Sequence, residues 1–168
     1  MNNLEAFRHI HTFMIDLDHV LSSPLFRIEA DGHMSWQFSR KDEFALRLAV
    51  QSGYNIAVLS GEELSPGLEE WLRSLGLNDL FFETIDRLDA YEEYVESRKM
   101  DSEGILYLGG ELPDLEPMMK AGLPACPVDA GPEILGAAHY ISPFKGGNGC
   151  VRDVLSKVLK LHHNWSVG

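Results

Sequence analysis

The sequence is short of cysteine and has no long apolar run. Its 168 residues include two cysteines, Cys126 and Cys150, which form no CxxC pair. Two such cysteines do not make the disulfide framework of a small secreted domain, so we expect reduced thiols in a cytoplasmic protein. No apolar stretch reaches the roughly 20 residues of a membrane span, and the first residues lack a signal peptide's apolar core. We therefore expect a cytoplasmic location and no membrane partner.

Basic residues are also scarce. The chain has 14 Lys and Arg against 26 Asp and Glu, which gives a formal net charge of -12. Binding a nucleic-acid backbone requires clustered Lys and Arg, so we expect no nucleic-acid partner. An acidic protein that acts on an anionic substrate needs local positive charge, from a metal ion or from a few well-placed basic side chains.

The length allows one domain with a sizeable core, and we predict a single domain over residues 1–168. Short apolar runs alternate with stretches of helical periodicity, which is typical of an α/β sandwich around a mostly parallel sheet. The predicted strands are residues 12–15, 55–59, 79–82, 104–108, 125–127 and 139–141, and the predicted helices are residues 43–52, 65–75, 88–98, 114–121 and 151–162. Residues 25–38 alternate around an Asp-Gly pair and predict a β-hairpin inserted after the first strand.

Polar residues directly follow three of the predicted strands. Asp16 and Asp18 follow the first strand, Ser60 the second, and Gly109-Gly110 the fourth. Ligands of such folds bind beyond the carboxyl ends of the strands, so these loops should meet on one rim. Two carboxylates this close repel each other unless a cation or a proton separates them. The pair is therefore part of a metal or phosphoryl site, or a solvated turn; a lone D-x-D favours the turn.

The order of these segments resembles that of the haloacid dehalogenase superfamily. The matching segments are Asp16-Leu17-Asp18, the hairpin, Ser60-Gly61, Arg87, YLGGELPD and KGGNGCVRD. The chain is most similar to the small capless branch, the 3-deoxy-D-manno-octulosonate (KDO) 8-phosphate phosphatases, from about residue 13 to residue 161. DAGPEI followed by YISPFKGGNGCVRDV is the most specific stretch. The resemblance implies a Rossmann-like three-layer sandwich.

The resemblance also implies an activity, the Mg²⁺-dependent hydrolysis of a small sugar phosphate of the KDO 8-phosphate type. Asp16 would be the nucleophile that forms an aspartyl phosphate, and Asp18 the general acid and base. The Asp16 carboxylate and the Asp18 carbonyl would bind Mg²⁺, which neutralises the crowded oxygens. The candidate phosphate- or substrate-binding residues are Ser60, Gly61, Arg87, Lys41 and Arg152.

The chain departs from the family pattern at the metal site. Gly110 stands where the family has its metal-binding aspartate. Glu111 and Asp114 are the candidate replacements, unless both face solvent at the start of the next helix, where acidic residues suit the helix dipole. His19 stands where the family has a glycine and takes space that backbone needs to approach phosphate. These departures predict a weakened Mg²⁺ site.

Two further departures concern charge. Arg87 replaces the family lysine and keeps its positive charge in a bulkier, planar form. Glu62 and Glu63 replace a Gly-Arg pair and would repel an anionic substrate. Together the departures support an alternative, a catalytically impaired relative that acts as a scaffold or regulator. A receiver domain of two-component signalling would explain the acidic residues at strand ends, but not the hairpin or the glycine-rich segment.

The resemblance implies a homotetramer in which each hairpin and each C-terminal tail, about residues 143–168, help to complete a neighbouring subunit's site. The hairpin sequence agrees with this expectation, because Phe26, Ile28, Met34 and Trp36 make it rich in apolar side chains. Isolated hairpins are marginally stable in water, so an apolar one needs a partner surface.

Overall fold

The computed structural model describes residues 3–166 and has a six-stranded sheet at its centre. The strands of the chain are β1 (Thr12–Asp16), β2 (Arg27–Ile28), β3 (Met34–Ser35), β4 (Asn55–Leu59), β5 (Asp79–Phe81), β6 (Ile105–Leu108), β7 (Leu123–Pro127) and β8 (Tyr140–Ser142). The central sheet has the order β5-β4-β1-β6-β7-β8, and all of its neighbouring strands are parallel. The prediction of a mostly parallel sheet is confirmed.

Helices cover both faces of the sheet. They are α1 (Asn3–Arg8), α2 (Arg40–Gln51), α3 (Pro66–Ser74), α4 (Arg87–Ser97), α5 (Leu115–Lys120), α6 (Pro132–Ala137) and α7 (Cys150–Leu161). Successive side chains of a strand point to opposite faces, so β1 directs Phe13 and Ile15 to one core and Met14 to the other. Helices α1, α2, α3 and α7 pack on the first core, and α4, α5 and α6 on the second. The three-layer sandwich is confirmed.

The helix boundaries follow from capping side chains that hydrophobic periodicity does not reveal. Helix α2 begins at Arg40, before the predicted residue 43, because the Ser39 hydroxyl accepts the Lys41 N–H at 3.2 Å. The carboxylate of Asp86 caps α4 in the same way, by accepting the Asp89 N–H. Helices α1 and α6, of six residues each, lie outside the helices predicted from the sequence.

The predicted hairpin is present, and its strands are short. Ile28 of β2 pairs with Met34 of β3 in antiparallel register. Gly32 has a φ of 90°, the left-handed conformation that favours glycine, so the Asp-Gly pair forms the turn as expected. The side chains of Phe26, Ile28 and Met34 are 53%, 69% and 39% exposed, which leaves an apolar surface on the hairpin.

A single π-helical turn, Leu17–Leu21, connects β1 to the hairpin segment. Such turns are rare and often lie at functional sites. The glycine-rich segment before α7 packs tightly against this turn: a Cβ on Gly146 would lie 2.1 Å from the His19 carbonyl oxygen, and the Gly147 N–H donates to the Val20 carbonyl at 2.7 Å. Buried Asp42 accepts the N–H of Gly149, which fixes the start of α7.

Two expectations concern features outside the site. Cys126 and Cys150 are buried free thiols in the structure. Within residues 3–166, no helix combines the length and apolar character that crossing a membrane requires.

Candidate active site

Asp16 lies at the carboxyl end of β1, in the middle of the sheet, and is completely buried. The neighbouring strand β4 ends at Leu59, so Ser60 lies at the same edge of the sheet. The Oδ1 atom of Asp16 accepts the N–H of Asp18 at 2.8 Å. This bond caps the first residues of the Leu17–Leu21 turn. It places the carboxylates of Asp16 and Asp18 side by side.

Arg87 supplies the positive charge between these carboxylates. It is the first residue of α4, and its side chain is 3% exposed. Its Nη1 atom lies 3.0 Å from Asp16 Oδ1 and 2.7 Å from Asp114 Oδ1, and its Nη2 atom lies 3.0 Å from Asp18 Oδ2. One guanidinium therefore contacts three carboxylates.

Asp114 is buried in this cluster and does not face solvent. Its Oδ1 atom accepts the Tyr107 hydroxyl at 2.8 Å, and its Oδ2 atom accepts the Gly110 N–H at 2.8 Å. Tyr107 was not among the site residues predicted from the sequence. The available signal was a tyrosine inside a buried strand, because a buried hydroxyl usually requires a hydrogen-bond partner.

The His19 side chain also contacts Asp16, a role that the sequence did not reveal. Its Nδ1 atom lies 2.9 Å from Asp16 Oδ2 and donates to it. The sequence suggested only that an imidazole takes space beside the aspartates. In the structure the imidazole binds the carboxylate oxygen that Arg87 does not.

The protonation states follow from this geometry. Burial would raise the pKa of Asp16, but hydrogen bonds from His19 and Asp114 and the charge of Arg87 hold this pKa well below its usual value. Burial and the negative charge of Asp16 raise the pKa of Asp114 well above its usual value. The hydrogen bond to Asp16 raises the pKa of His19. Asp16 is thus the ionised member of the buried carboxylate pair, the state in which a carboxylate can act as a nucleophile.

Three hydrogen-bond donors converge on the Asp18 carboxylate. Ser60 Oγ donates to Oδ1 at 2.5 Å, and the Gly61 N–H donates to Oδ2 at 3.0 Å. Arg87 Nη2 is the third donor. A hydroxyl, a backbone amide and a guanidinium are the groups that bind phosphoryl oxygens in proteins, so these donors can bind a phosphoryl group when the Asp18 side chain turns away.

A cavity of about 130 Å³ leads to Asp18 and His19 from beneath the hairpin. Phe26, Met34 and Trp36 of the hairpin line it together with Glu62. The hairpin of this chain therefore forms one wall above its own Asp18. Glu62, which the sequence predicts to repel an anionic substrate, is one of the residues that line this cavity.

The remaining candidate residues lie elsewhere. Lys41 and Arg152 line a separate cavity of about 400 Å³, and the Arg152 guanidinium lies 5.1 Å from the centroid of the Trp165 ring. The Glu111 carboxylate accepts the Leu112 N–H at 2.9 Å and is not among the side chains that converge on Asp16. The candidates that the structure brings together are Asp16, Asp18, Ser60, Gly61, Arg87 and Asp114.

One group within the described part of the chain has the composition of a metal site. Donor atoms of Asp16, His19 and Asp114 lie within 4.8 Å of one another. The two carboxylates are the oxygen ligands that suit the expected Mg²⁺, whereas the imidazole suits transition metals and is not an Mg²⁺ ligand. The carboxylate oxygens of both aspartates already accept hydrogen bonds or ion pairs from the protein. A cation can reach Asp16 Oδ2 once His19 withdraws from it.

The chain is similar to known phosphatases over most of its length. No family model matches it. It is 30% identical over 156 residues to 3-deoxy-D-manno-octulosonate 8-phosphate phosphatase KdsC of Yersinia pestis, which covers 93% of this chain and 83% of that protein.

Two solved structures share its fold. One is the 3-deoxy-D-manno-octulosonate 8-phosphate phosphatase of Moraxella catarrhalis in complex with a magnesium ion, a phosphate ion and KDO. Its TM-score is 0.90 and its sequence identity 26%, and the match covers 96% of this chain and 92% of that one. The other is a HAD superfamily (subfamily III A) hydrolase from Legionella pneumophila, with a TM-score of 0.90, 25% identity and coverage of 95% and 87%.

Proposed function

Because the chain belongs to the 3-deoxy-D-manno-octulosonate 8-phosphate phosphatase family of the haloacid dehalogenase superfamily, we propose that it hydrolyses the phosphomonoester of a small acid sugar of the KDO 8-phosphate type. The observation that supports this proposal is the buried, ionised Asp16 beside a cluster of anion-binding donors on Asp18. A nucleophile and a phosphoryl-binding site in contact are what phosphoryl transfer through a covalent intermediate requires.

The proposed reaction has two steps. A carboxylate oxygen of Asp16 attacks phosphorus, the bond between phosphorus and the sugar oxygen breaks, and the Asp18 carboxylic acid gives its proton to the leaving alkoxide. In the second step Asp18 takes a proton from water, whose oxygen attacks phosphorus. The aspartyl phosphate then breaks to release inorganic phosphate and restore Asp16.

The protein supplies most of the charge that this reaction needs. Ser60, Gly61 and Arg87 donate hydrogen bonds to the phosphoryl oxygens in place of the Asp18 carboxylate. Asp16, the Asp18 carbonyl and Asp114 would hold Mg²⁺, which neutralises the crowded oxygens when bound. The magnesium and phosphate ions bound to the Moraxella catarrhalis phosphatase support a role for Mg²⁺ in the proposed reaction.

The proposed function is tested by measuring phosphate release from KDO 8-phosphate and from a panel of other sugar phosphates, with and without Mg²⁺. We expect Mg²⁺-stimulated turnover on an eight-carbon or nine-carbon acid sugar. Turnover on none of these substrates would contradict the proposal and support the scaffold alternative.

Ser60→Ala is expected to raise the KM for the sugar phosphate about tenfold to a hundredfold. The variant removes the hydroxyl that binds the Asp18 carboxylate at 2.5 Å and would bind a phosphoryl oxygen, and a hydrogen bond to a charged group contributes about 1.5–3 kcal/mol. Steady-state kinetics measures the change. Ser65→Ala is the control, because Ser65 is exposed and caps α3; an equal effect of both variants on KM would contradict the assignment of Ser60.

We also propose that the chain is a homotetramer whose subunit contacts include the hairpin. The exposed apolar side chains of Phe26 and Ile28 support this. The double variant Phe26→Ser and Ile28→Ser is expected to sediment as a smaller species than the wild type. Met119→Ser is the control, because Met119 is an equally apolar, 73% exposed side chain that belongs to α5 and not to the hairpin. A wild-type chain that sediments as a monomer at micromolar concentration would contradict the proposal.

A further inference from the structure

The side chain of His19 fills the space that a side chain at position 110 would need. A Cβ on Gly110 would lie 2.5 Å from the His19 Cβ, closer than two such carbon atoms approach. Gly110 is not among the glycines with positive φ, so its backbone conformation suits any residue. The clash is with a Cβ, the atom of His19 that a rotamer change does not move. Position 110 therefore lacks a side chain because His19 fills the space.

The His19 side chain uses this space to reach Asp16. Its Nδ1 atom lies 2.9 Å from Asp16 Oδ2, while Arg87 Nη1 and the Asp18 N–H bind Oδ1. Both oxygens of the buried carboxylate are thus bound by protein groups. Gly110 also contributes directly, because its N–H donates to Asp114 at 2.8 Å.

We propose that His19 occupies the position of the divalent cation, and that His19 and the cation compete for Asp16 Oδ2. Gly110 is the partner residue that makes room for the imidazole. In the resting site Arg87 and His19 then bind the two oxygens of Asp16, and Mg²⁺ binds only when the imidazole is displaced. The proposal rests on the proposed function for the identity of the cation, and on the contacts of His19 for the competition.

Four variants separate loss of the imidazole from relief of the clash: His19→Ala, Gly110→Asp, His19→Ala with Gly110→Asp, and His19→Gly with Gly110→Asp. Calorimetric titration with MgCl₂ and the thermal midpoint are measured for each. His19→Ala is expected to bind Mg²⁺ more tightly than the wild type, because the competitor is gone. Gly110→Asp is expected to have a lower midpoint and no gain in affinity, because its Cβ meets that of His19.

The two double variants differ in the Cβ at position 19, which is the atom that a side chain at position 110 would clash with. Alanine keeps the Cβ at position 19, so His19→Ala with Gly110→Asp is expected to stay destabilised. Glycine removes it, and the nearest atoms to the new Cβ are then Val20 Cγ2 at 3.3 Å and a backbone oxygen at 3.4 Å, which small shifts accommodate. His19→Gly with Gly110→Asp is expected to bind Mg²⁺ about tenfold or more tightly than the wild type, since even indirect changes around a metal alter affinity by that factor.

His33→Gly is the matched control. It removes an exposed imidazole that binds Asp31 at 2.8 Å in the hairpin, and it should leave Mg²⁺ affinity unchanged. Equal Mg²⁺ affinity of the wild type and His19→Ala would overturn the proposal. It would also be overturned if Gly110→Asp alone bound Mg²⁺ as tightly as His19→Gly with Gly110→Asp. Mg²⁺ binding is measured without substrate, so the two proposals can fail separately. A chain that lacks turnover would contradict the proposed function, whereas the competition between His19 and the cation is tested by the Mg²⁺ affinities alone.

Discussion

Asp16→Asn is expected to release no measurable phosphate from a sugar phosphate that the wild-type chain hydrolyses, because an amide is a very poor nucleophile at phosphorus. Asp18→Asn is expected to lower turnover by about 10²–10⁴-fold, the usual contribution of general acid–base catalysis. Phosphate release under single-turnover conditions measures both effects. The two variants change neighbouring carboxylates in the same way, so each is the control for the other.

The thermal midpoint of Asp16→Asn adds an independent result. The pKa of Asp16 is lower in the folded protein than its ordinary value, so the ionised carboxylate stabilises the fold at neutral pH. The substitution removes this contribution, and we expect a lower midpoint. A raised midpoint together with an inactive wild type would instead show that Asp16 is merely repelled by Asp18, and would support a scaffold or regulator.

Arg87→Met is expected to lower the free energy of unfolding by about 3–5 kcal/mol, the cost of removing one partner from a buried ion pair. The variant leaves the carboxylates of Asp16, Asp18 and Asp114 without the guanidinium that contacts all three. Urea denaturation followed by circular dichroism measures the loss.

Two further variants test whether burial causes this effect. Arg98→Met removes a guanidinium that lies 2.6 Å from Asp79 at the surface, where ion pairs contribute about 0–1 kcal/mol. Arg87→Lys keeps the charge and loses the forked geometry, so we expect a loss between those of the two methionine variants. If Arg87→Met were as stable as Arg98→Met, the guanidinium would not be what holds the carboxylates together.

The sheet and the positions of Asp16 and Ser60 could be predicted from the sequence. Apolar runs separated by helical stretches indicate parallel strands, and the carboxyl ends of parallel strands meet at one edge whatever the details of packing. This rule brings the two residues together without any knowledge of their neighbours.

The orientation of Asp114 could not be predicted in this way. The sequence left it between a metal ligand and a solvated side chain. A turn at Leu112–Asp114 directs its carboxylate inward. Gly109 gives it room, because a Cβ there would lie 2.6 Å from the Asp114 Cβ. Such orientations depend on contacts across the fold, which a linear pattern does not contain.

The role of His19 was hidden for the same reason. The sequence shows a histidine beside two aspartates and, far along the chain, a glycine where the resemblance implied an acid. Only the fold shows that Gly110 and His19 face each other, so that the absence of a side chain at position 110 leaves room for His19. Considered separately, each looks like damage to an active site.

The packing of the glycine-rich segment on the Leu17–Leu21 turn has a consequence for the order in which the molecule is completed during synthesis. The turn that carries Asp18 and His19 is made early, but the hydrogen bond that its Val20 carbonyl accepts comes from Gly147, which the ribosome adds much later. A nascent chain that ends before this residue can already contain the residues of strands β1 to β8 without this hydrogen bond to the Leu17–Leu21 turn. The Asp16 and Asp18 pair is therefore expected to reach its final geometry only when the last helix docks. Because α7 also supplies buried side chains to the first core, chains cut short before α7 are expected to lack both the finished turn and part of that core.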